Sequence, residues 1–141
     1  MMDLDSALDF IRSRQNGVLT TLKRDGRPQL SNITYHLGDD DLVRISVTHG
    51  RAKTTNIRRD NRVSLHVSQE DFWAYVVVEA DAELTPVSAA TDDATLDELV
   101  DYYRALAGEH PDWDDYRRVM VSDQRLVVRL RPTRAYGMLG G

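Results

Sequence analysis

A chain of 141 residues is long enough to bury a hydrophobic core in one domain, and its 41% hydrophobic and 29% charged residues are ordinary for a globular protein. No apolar run approaches the roughly 18 residues of a membrane span, and the acidic start MMDLDSALDF lacks the features of a secretory signal. The net charge of −5 disfavours nucleic-acid binding, and the absence of cysteine excludes thiolate chemistry. We therefore expect one cytoplasmic domain over residues 1–141 that binds neither membrane nor nucleic acid.

The first predicted element is an amphipathic helix, because Leu4, Leu8 and Ile11 recur at helical spacing behind an aspartate cap. The pair Asp25-Gly26 then indicates a hairpin turn between two alternating stretches. Alternation of apolar and polar residues predicts six strands in all, over residues 18–23, 29–37, 42–48, 62–68, about 74–85 and 124–135.

Two later helices are predicted over residues 94–107 and 112–120. In the first of these, Leu96, Leu99 and Tyr103 lie on one apolar stripe. The acidic stretch DWDD at the start of the second is interpreted as a cap and as a partner of the helix dipole. Strands in sequential hairpins with few helices favour an antiparallel barrel over a parallel sheet.

The most unusual segment is RAKTTNIRRDNR, residues 51–62, which holds five basic residues and one acid in an acidic chain. A helix is predicted to begin near Gly50, which places Arg51 and Lys53 at its first turn, where free N–H groups already carry partial positive charge. A bound phosphate would supply the missing negative charge. The alternative is that both residues are solvated surface cations. The later arginines suit the end of the helix dipole without any ligand.

Side chains that catalyse reactions directly are scarce. The four histidines lie on separate predicted elements without the short spacing of metal ligands. The sequence contains no G-x-S-x-G turn, no G-x-G-x-x-G after a strand and no P-loop. We therefore expect neither a metal site nor a protein nucleophile, and spacing identifies no catalytic residue. If the protein is an enzyme, a bound cofactor carries the chemistry.

Four segments in a fixed order carry a resemblance that covers nearly the whole chain: GVLTTLKRDGRPQLSNITYHL, RAKTTNIRRDNRVSLHV, WAYVVVEADAELT and AGEHPDWDDYRRVMVSDQRLVVRLRPTRAYG. Together they resemble the split-barrel flavin and deazaflavin oxidoreductases of actinobacteria. This group is similar to pyridoxamine 5′-phosphate oxidase, and the resemblance is greatest to its F420-dependent branch, which includes biliverdin reductases.

The resemblance implies a mainly β fold with flanking helices, namely a six-stranded antiparallel split β-barrel of the FMN-binding type. It also implies a homodimer with the cofactor in a groove between the subunits. Arg51 and Lys53 match the positions that bind the cofactor phosphate, and Asn56 matches a further polar contact there. Ser31 and Asn32, in GRPQLSN, match the strand beside the cofactor ring, so Asn32 is expected to contact the ring or the substrate.

Two aromatic residues, Trp73 and Tyr75, match positions near the site that the partner subunit lends. The residues by themselves leave a second interpretation open, because aromatic side chains two positions apart beside an apolar run also suit a dimer interface.

Three functions follow from the resemblance. The favoured one is a reductase that uses the deazaflavin coenzyme F420 and transfers hydride to an unsaturated small molecule such as a bilin or a quinone. Its acidic oligoglutamate tail would use Arg58, Arg59 and Arg62, so affinity should rise with tail length and fall with salt. The second is an FMN-dependent enzyme of the pyridoxamine-phosphate type. The third is a non-enzymatic flavin or haem binder, in which His36 or His66 would ligate the iron.

Overall fold

A computed structural model describes residues 2–140, in which antiparallel strands form a curled sheet flanked by helices. The strands are β1 (Asn16–Leu22), β2 (Pro28–Thr34), β3 (His36–Leu37), β4 (Val43–Thr48), β5 (Arg62–Ser68), β6 (Tyr75–Leu84) and β7 (Arg125–Met138). The helices are α1 (Leu4–Arg12), α2 (Ala52–Arg59), α3 (Ala94–Ala107) and α4 (Trp113–Ser122).

The strands follow the order β2-β1-β5-β6-β7-β4-β3, and every neighbouring pair is antiparallel. The predicted fold class, a mainly β split barrel with flanking helices, is confirmed. The predicted number of six strands is wrong, because the described residues form seven. The long strands β6 and β7 are irregular at Glu79 and Ala80, where a bulge allows the sheet to bend.

The additional strand arises because the predicted strand over residues 29–37 breaks at Tyr35. The side chain of Tyr35 is fully buried, and its hydroxyl donates to the carbonyl of Ile11 (2.6 Å). The backbone amide of Tyr35 donates to the carbonyl of Gln15 (2.8 Å). Before Tyr35 the chain pairs with β1, and after it the chain pairs with β4. The strands β2 and β3 lie at opposite ends of the strand order and do not pair with each other. Because β3 pairs only with Val43 and Arg44, the sheet stays open along a seam between β2 and the rest of β4.

The N-terminal helix closes one side of the barrel. Asp3 caps α1 by accepting a hydrogen bond from the amide of Ser6. Leu8 and Ile11 of the predicted stripe are buried together with Ala7, whereas Leu4 is only partly buried. The three buried side chains join the inward-facing residues of the strands in the main core. The other sheet face carries the alternate, more polar residues of the same strands.

The helices α3 and α4 pack on β7 through a second apolar cluster. It consists of Leu96, Leu99, Val100, Tyr116 and Val127. The observed bounds of α3 equal the predicted ones, and α4 begins one residue later than predicted and ends two residues later. Its cap is the first aspartate of DWDD, whose carboxylate accepts from the amide three residues on, so the interpretation of this stretch as a cap is confirmed.

An ion-pair network ties α3 to the sheet. Glu98 accepts hydrogen bonds from Arg44 on β4 (2.9 Å) and from Arg129 on β7 (2.9 and 2.6 Å). Arg129 is the largest cause of the lowered pKa of Glu98, and Arg44 lowers the pKa further, whereas burial opposes both. The carboxylate is therefore held ionised between two strands.

Within residues 2–140, no helix has both the length and the apolar composition needed to cross a bilayer. The same residues contain no group of three or more His, Cys, Asp or Glu side chains placed to hold a metal ion.

Candidate functional site

The start of α2 exposes hydrogen-bond donors that the described part of the chain does not satisfy. Arg51 occupies the N-cap position, just before the first turn in which it was predicted, its side chain caps no amide, and the first turn contains no acid. The amides of Ala52, Lys53 and Thr54 have no backbone acceptor in residues 2–140. The Thr54 hydroxyl donates to the carbonyl of Thr48 (2.8 Å) and thereby fixes the turn that leads into the helix. The helix start therefore presents partial positive charge to whatever lies beside it.

A groove of about 620 Å³ lies beside this helix start, along the seam between β2 and β4, with α3 and α4 on its other side. We call it the seam groove. Its lining combines cations, aromatic residues and strand residues: Arg51, Lys53, Arg125, Tyr102, Tyr103, Tyr116, Met120, Asn32, Ile33, Thr34, Ile45, Ser46, Val47 and Thr48.

The seam groove holds three cations, Arg51, Lys53 and Arg125, but no carboxylate among its lining residues. None of the three forms an ion pair within residues 2–140. The Nε atom of Arg125 is buried without a hydrogen-bond partner, although one terminal nitrogen of its guanidinium lies 3.4 Å from the Ser46 hydroxyl. A buried donor without an acceptor is costly, and the three cations together leave the groove with uncompensated positive charge.

The electrostatics of Lys53 agree with this geometry. Its side chain is half-buried, and burial is the largest cause of its lowered pKa, followed by repulsion from Arg51 and then from Arg125. All three effects disfavour the charged form of the amine. A bound anion would oppose them, because it would favour the charged form.

Two tyrosine hydroxyls of the seam groove are already committed to backbone carbonyls. Tyr102 donates to Thr34 (2.6 Å), and Tyr116 donates to Leu99 (3.0 Å). Burial raises the pKa of Tyr102, and it raises the pKa of Tyr116 to about 12. Both side chains therefore stay neutral and present ring surface to the groove.

The wall formed by α3 and α4 is stiffened by an aromatic cluster behind it. Tyr103, His110, Trp113 and Tyr116 lie in mutual contact, with ring centroids 5.1–5.6 Å apart. The indole nitrogen of Trp113 also donates to Glu109 (2.8 Å). Such a packed cluster gives the groove a rigid aromatic side.

Of the predicted site residues, Arg51, Lys53 and Asn32 line the seam groove together. Ser31 and Asn56 do not line it. The Ser31 hydroxyl accepts a hydrogen bond from the side chain of Gln29 (2.9 Å). Asn56 is buried between α2 and β1, where it donates to Thr21 (3.1 Å) and accepts from Arg59 (3.0 Å).

The two predicted aromatic contacts lie outside the seam groove of a single chain. Trp73 is 75% exposed in the loop between β5 and β6, beside Phe72, which is 78% exposed. Tyr75 begins β6 and stacks on His66, with ring centroids 5.5 Å apart.

The arginines that follow the helix start already have partners within the chain. Arg58 bonds to His49, and Arg59 donates to the carbonyl of Leu22 (2.6 Å). Arg62 pairs with Asp60 (2.7 Å). In the described part of the chain only Arg62 is thus paired with a carboxylate, and none of the three arginines lines the seam groove.

Sequence reasoning did not identify Arg125, Tyr102 or Met120 as site residues. The sequence places Arg125 in the last predicted strand, and the only local signal is a basic residue just before the apolar run LVV. Tyr103 was identified from its helical stripe, but as a core residue. These side chains reach the seam groove from β7, α3 and α4, whose meeting point no local pattern reveals.

A curled antiparallel sheet with a helix start beside its open seam defines the flavin-binding split-barrel class. A family model described as pyridoxamine 5′-phosphate oxidase matches residues 4–139, and the chain belongs to this family.

Solved structures share the fold at low sequence identity. A conserved hypothetical protein from Mycobacterium tuberculosis is 23% identical with a TM-score of 0.76, over 99% of this chain and 86% of that one. An F420 reductase is 24% identical with a TM-score of 0.65, over 91% and 94% of the two chains. The haem storage protein HutZ from Vibrio cholerae is 15% identical with a TM-score of 0.70, over 99% and 98%. These similarities show the fold alone.

Proposed function

We propose that the protein is a reductase that uses the deazaflavin coenzyme F420 and transfers hydride to an unsaturated small molecule such as a bilin or a quinone. The observation that carries this proposal is the cluster of Arg51, Lys53 and Arg125 at the start of α2, in a groove lined by no carboxylate. Such a cluster suits a phosphate, and the aromatic wall beside it suits a planar ring. Membership of a flavin-binding family supports the same conclusion.

The residues present fit the phosphate of such a cofactor. Arg51, Lys53 and Arg125 would hold it together with the unsatisfied amides at the start of α2. Hydrogen bonds to charged groups of this kind contribute about 1.5–3 kcal/mol each.

Other residues of the seam groove orient the reactants and exclude water. Asn32 projects from the edge strand β2 and is the proposed contact for the ring or the substrate, whereas Tyr103 and Met120 provide the wall on the helix side. When bound, the reduced deazaflavin supplies the hydride, and the protein supplies position and electrostatics. Because the hydroxyls of Tyr102 and Tyr116 are committed to carbonyls, we propose neither of them as the proton donor of the reduced product.

An FMN-dependent enzyme is the second candidate, since a single phosphate is satisfied by two cations and the helix amides. The third cation, Arg125, favours the cofactor that carries further acidic groups. Because Arg58, Arg59 and Arg62 lie outside the seam groove and Arg62 is already paired with Asp60, we propose that the first part of an acidic tail meets most of the available positive charge.

A haem binder is less well supported by the seam groove, because no histidine lines it. His36 lies beside Asp39 and Asp40 in a separate depression, and His66 stacks on Tyr75 on the outer face of β5. Neither residue could ligate iron inside this groove.

We also propose that the functional unit is a homodimer. Phe72 and Trp73 are held out in water by a tight loop, in which the Asp71 carboxylate accepts from the amide of Trp73 (3.0 Å) and from the side chain of Gln69 (2.9 Å). Ordered, exposed aromatic residues are typical of an interface, and a second copy of the chain would bury them.

The test is to compare turnover with the two cofactors. Enzymatically reduced F420 should be oxidised by a bilin or quinone acceptor faster when the protein is present, whereas reduced FMN should react no faster than it does spontaneously with oxygen. Equal acceleration with FMN would favour the second candidate. A stoichiometric haem complex together with no turnover of either cofactor would favour the third.

A further inference from the structure

The seam opens at a point where one pair of the β-ladder is missing. In the β3–β4 ladder His36 pairs with Arg44 and Leu37 pairs with Val43. The same antiparallel register, continued past Tyr35, would place Thr34 opposite Ser46. Thr34 instead pairs with Asn16 of β1, and the described strands β2 and β4 form no ladder with each other.

The backbone of Thr34 nevertheless points toward the seam. The amide of Tyr35 donates to the carbonyl of Gln15, and the amide of Lys23 donates to the carbonyl of Arg27, which identifies these as the hydrogen-bonded pairs of the β1–β2 hairpin. In an antiparallel ladder hydrogen-bonded and non-hydrogen-bonded pairs alternate. Thr34 is therefore in a non-hydrogen-bonded pair, and its N–H and C=O groups face away from β1.

A tyrosine from α3 occupies the place of the missing pair. The Tyr102 hydroxyl donates to the carbonyl of Thr34 at 2.6 Å, across 68 residues of sequence. The backbone of Ser46, on the β4 side, lowers the pKa of Tyr102 against the larger effect of burial, and Ser46 and Tyr102 line the same groove. The hydroxyl of Tyr102 thus lies between the backbones of Thr34 and Ser46, which a continuous ladder would have joined directly.

The helix that carries Tyr102 is itself fixed to the other side of the seam. Glu98 lies one helical turn earlier on the same face of α3, where it binds Arg44 of β4 and Arg129 of β7. The distance between β2 and β4 along the seam is therefore set through α3 and not through the sheet.

We propose that Tyr102 is a positioning residue, which holds the free edge of β2 at the width that the cofactor ring requires. This inference rests on the proposed function. Tyr102 acts through β2, from which Asn32 projects into the seam groove, whereas the three cations come from the start of α2 and from β7. Loss of the hydroxyl should therefore weaken binding of the ring and leave binding of the phosphate unchanged.

The test is Tyr102→Phe, which keeps the ring and removes only the hydrogen bond. Hydrogen exchange of the ligand-free protein should become faster at the β2 amides that bond to β1, and stay unchanged in β5 and β6. Affinity for F420 should fall about three- to ten-fold, the range of one neutral hydrogen bond. Binding of inorganic phosphate, followed by the NMR shifts of the Lys53 and Thr54 amides, should change less than about two-fold.

The matched control is Tyr116→Phe, which removes another hydrogen bond from a tyrosine to a carbonyl but joins α4 to α3 without reaching β2. It should leave β2 exchange unchanged. Unchanged hydrogen exchange of β2 in Tyr102→Phe would overturn the proposal. If F420 binding weakened without this faster exchange, the hydroxyl of Tyr102 would contact the cofactor directly, and the proposal would again be overturned. Equal weakening of phosphate and F420 binding would indicate general destabilisation and would also overturn it. If the wild type fails to bind F420, the proposed function fails, and the exchange comparison still decides whether Tyr102 holds β2.

Discussion

Lys53 on α2 and Arg125 on β7 line the same groove, although they carry the same charge and no carboxylate of that groove separates them. Repulsion from Arg125 contributes to the lowered pKa of Lys53, after burial and Arg51. Proteins seldom bring like charges together in a partly buried place without a compensating anion. The pair is therefore the structural reason to expect that a negatively charged ligand completes the groove.

Removal of either cation at the helix start should weaken cofactor binding without unfolding the protein. For Lys53→Ala and Arg51→Ala we expect F420 affinity to fall by about 1.5–3 kcal/mol, the scale of a charge-assisted hydrogen bond. Titration followed by cofactor fluorescence measures this. Arg58→Ala is the matched control, because Arg58 belongs to the same helix but bonds to His49, and it should change affinity by less than about 0.5 kcal/mol. Wild-type affinity in both Lys53→Ala and Arg51→Ala would place the anion site elsewhere.

Affinity for the cofactor should decrease at alkaline pH. The pKa of Lys53 is lowered in the free protein, mainly by burial, and an anion binds the protonated amine better than the neutral one. Affinity should thus be full below the free-protein pKa, fall as the pH rises through it, and be accompanied by proton uptake. Calorimetry between about pH 7 and about pH 10.5, in buffers of different ionisation enthalpy, detects both effects. Lys53→Arg should keep its affinity to higher pH, and a flat wild-type profile would contradict the assignment.

The ion-pair network on α3 should make stability depend on acid pH. Glu98 has a lowered pKa and a side chain only 17% exposed, so Glu98→Gln should reduce the free energy of unfolding by about 2–3 kcal/mol. A lowered pKa contributes stability above the unfolded value of about 4.3, and this contribution is lost as the pH falls through the folded value. Denaturant titrations should show a larger loss in the wild type than in Glu98→Gln, in which other carboxylates with a lowered pKa, such as Asp40, remain.

Glu83 offers the matched control for this experiment. It also pairs with Arg129, but its side chain is 57% exposed, so Glu83→Gln should cost no more than about 1 kcal/mol. Equal destabilisation by the two variants would mean that burial of Glu98 contributes nothing to the network.

The exposed aromatic loop should mediate dimer formation. Light scattering should give twice the chain mass of 16.1 kDa at micromolar concentration, with an interface above the roughly 1,200 Å² typical of specific complexes. Trp73→Asp should produce monomers, because it would bury a carboxylate at the interface. A monomeric wild type would refute both the dimer and the proposal that a partner subunit lends Trp73 to the site.

The sequence by itself determined those elements whose cause is local. The bounds of α3 followed from apolar residues at helical spacing, and the position of Arg51 and Lys53 at a helix start followed from the order of a strand, a turn and a cationic segment. Such features depend on residues within one or two turns of each other, so one stretch of chain contains the whole signal.

Only the tertiary structure decided how those elements meet. The break at Tyr35 depends on its contacts with the backbone of Ile11 and Gln15, and it changed one predicted strand into two at opposite edges of the sheet. Arg125 joined the cationic cluster because β7 runs beside β4, and Tyr102 reached Thr34 across 68 residues. These relationships depend on strand order and on which hydrogen-bonded pair ends the ladder, and both are properties of the whole sheet that no local pattern contains.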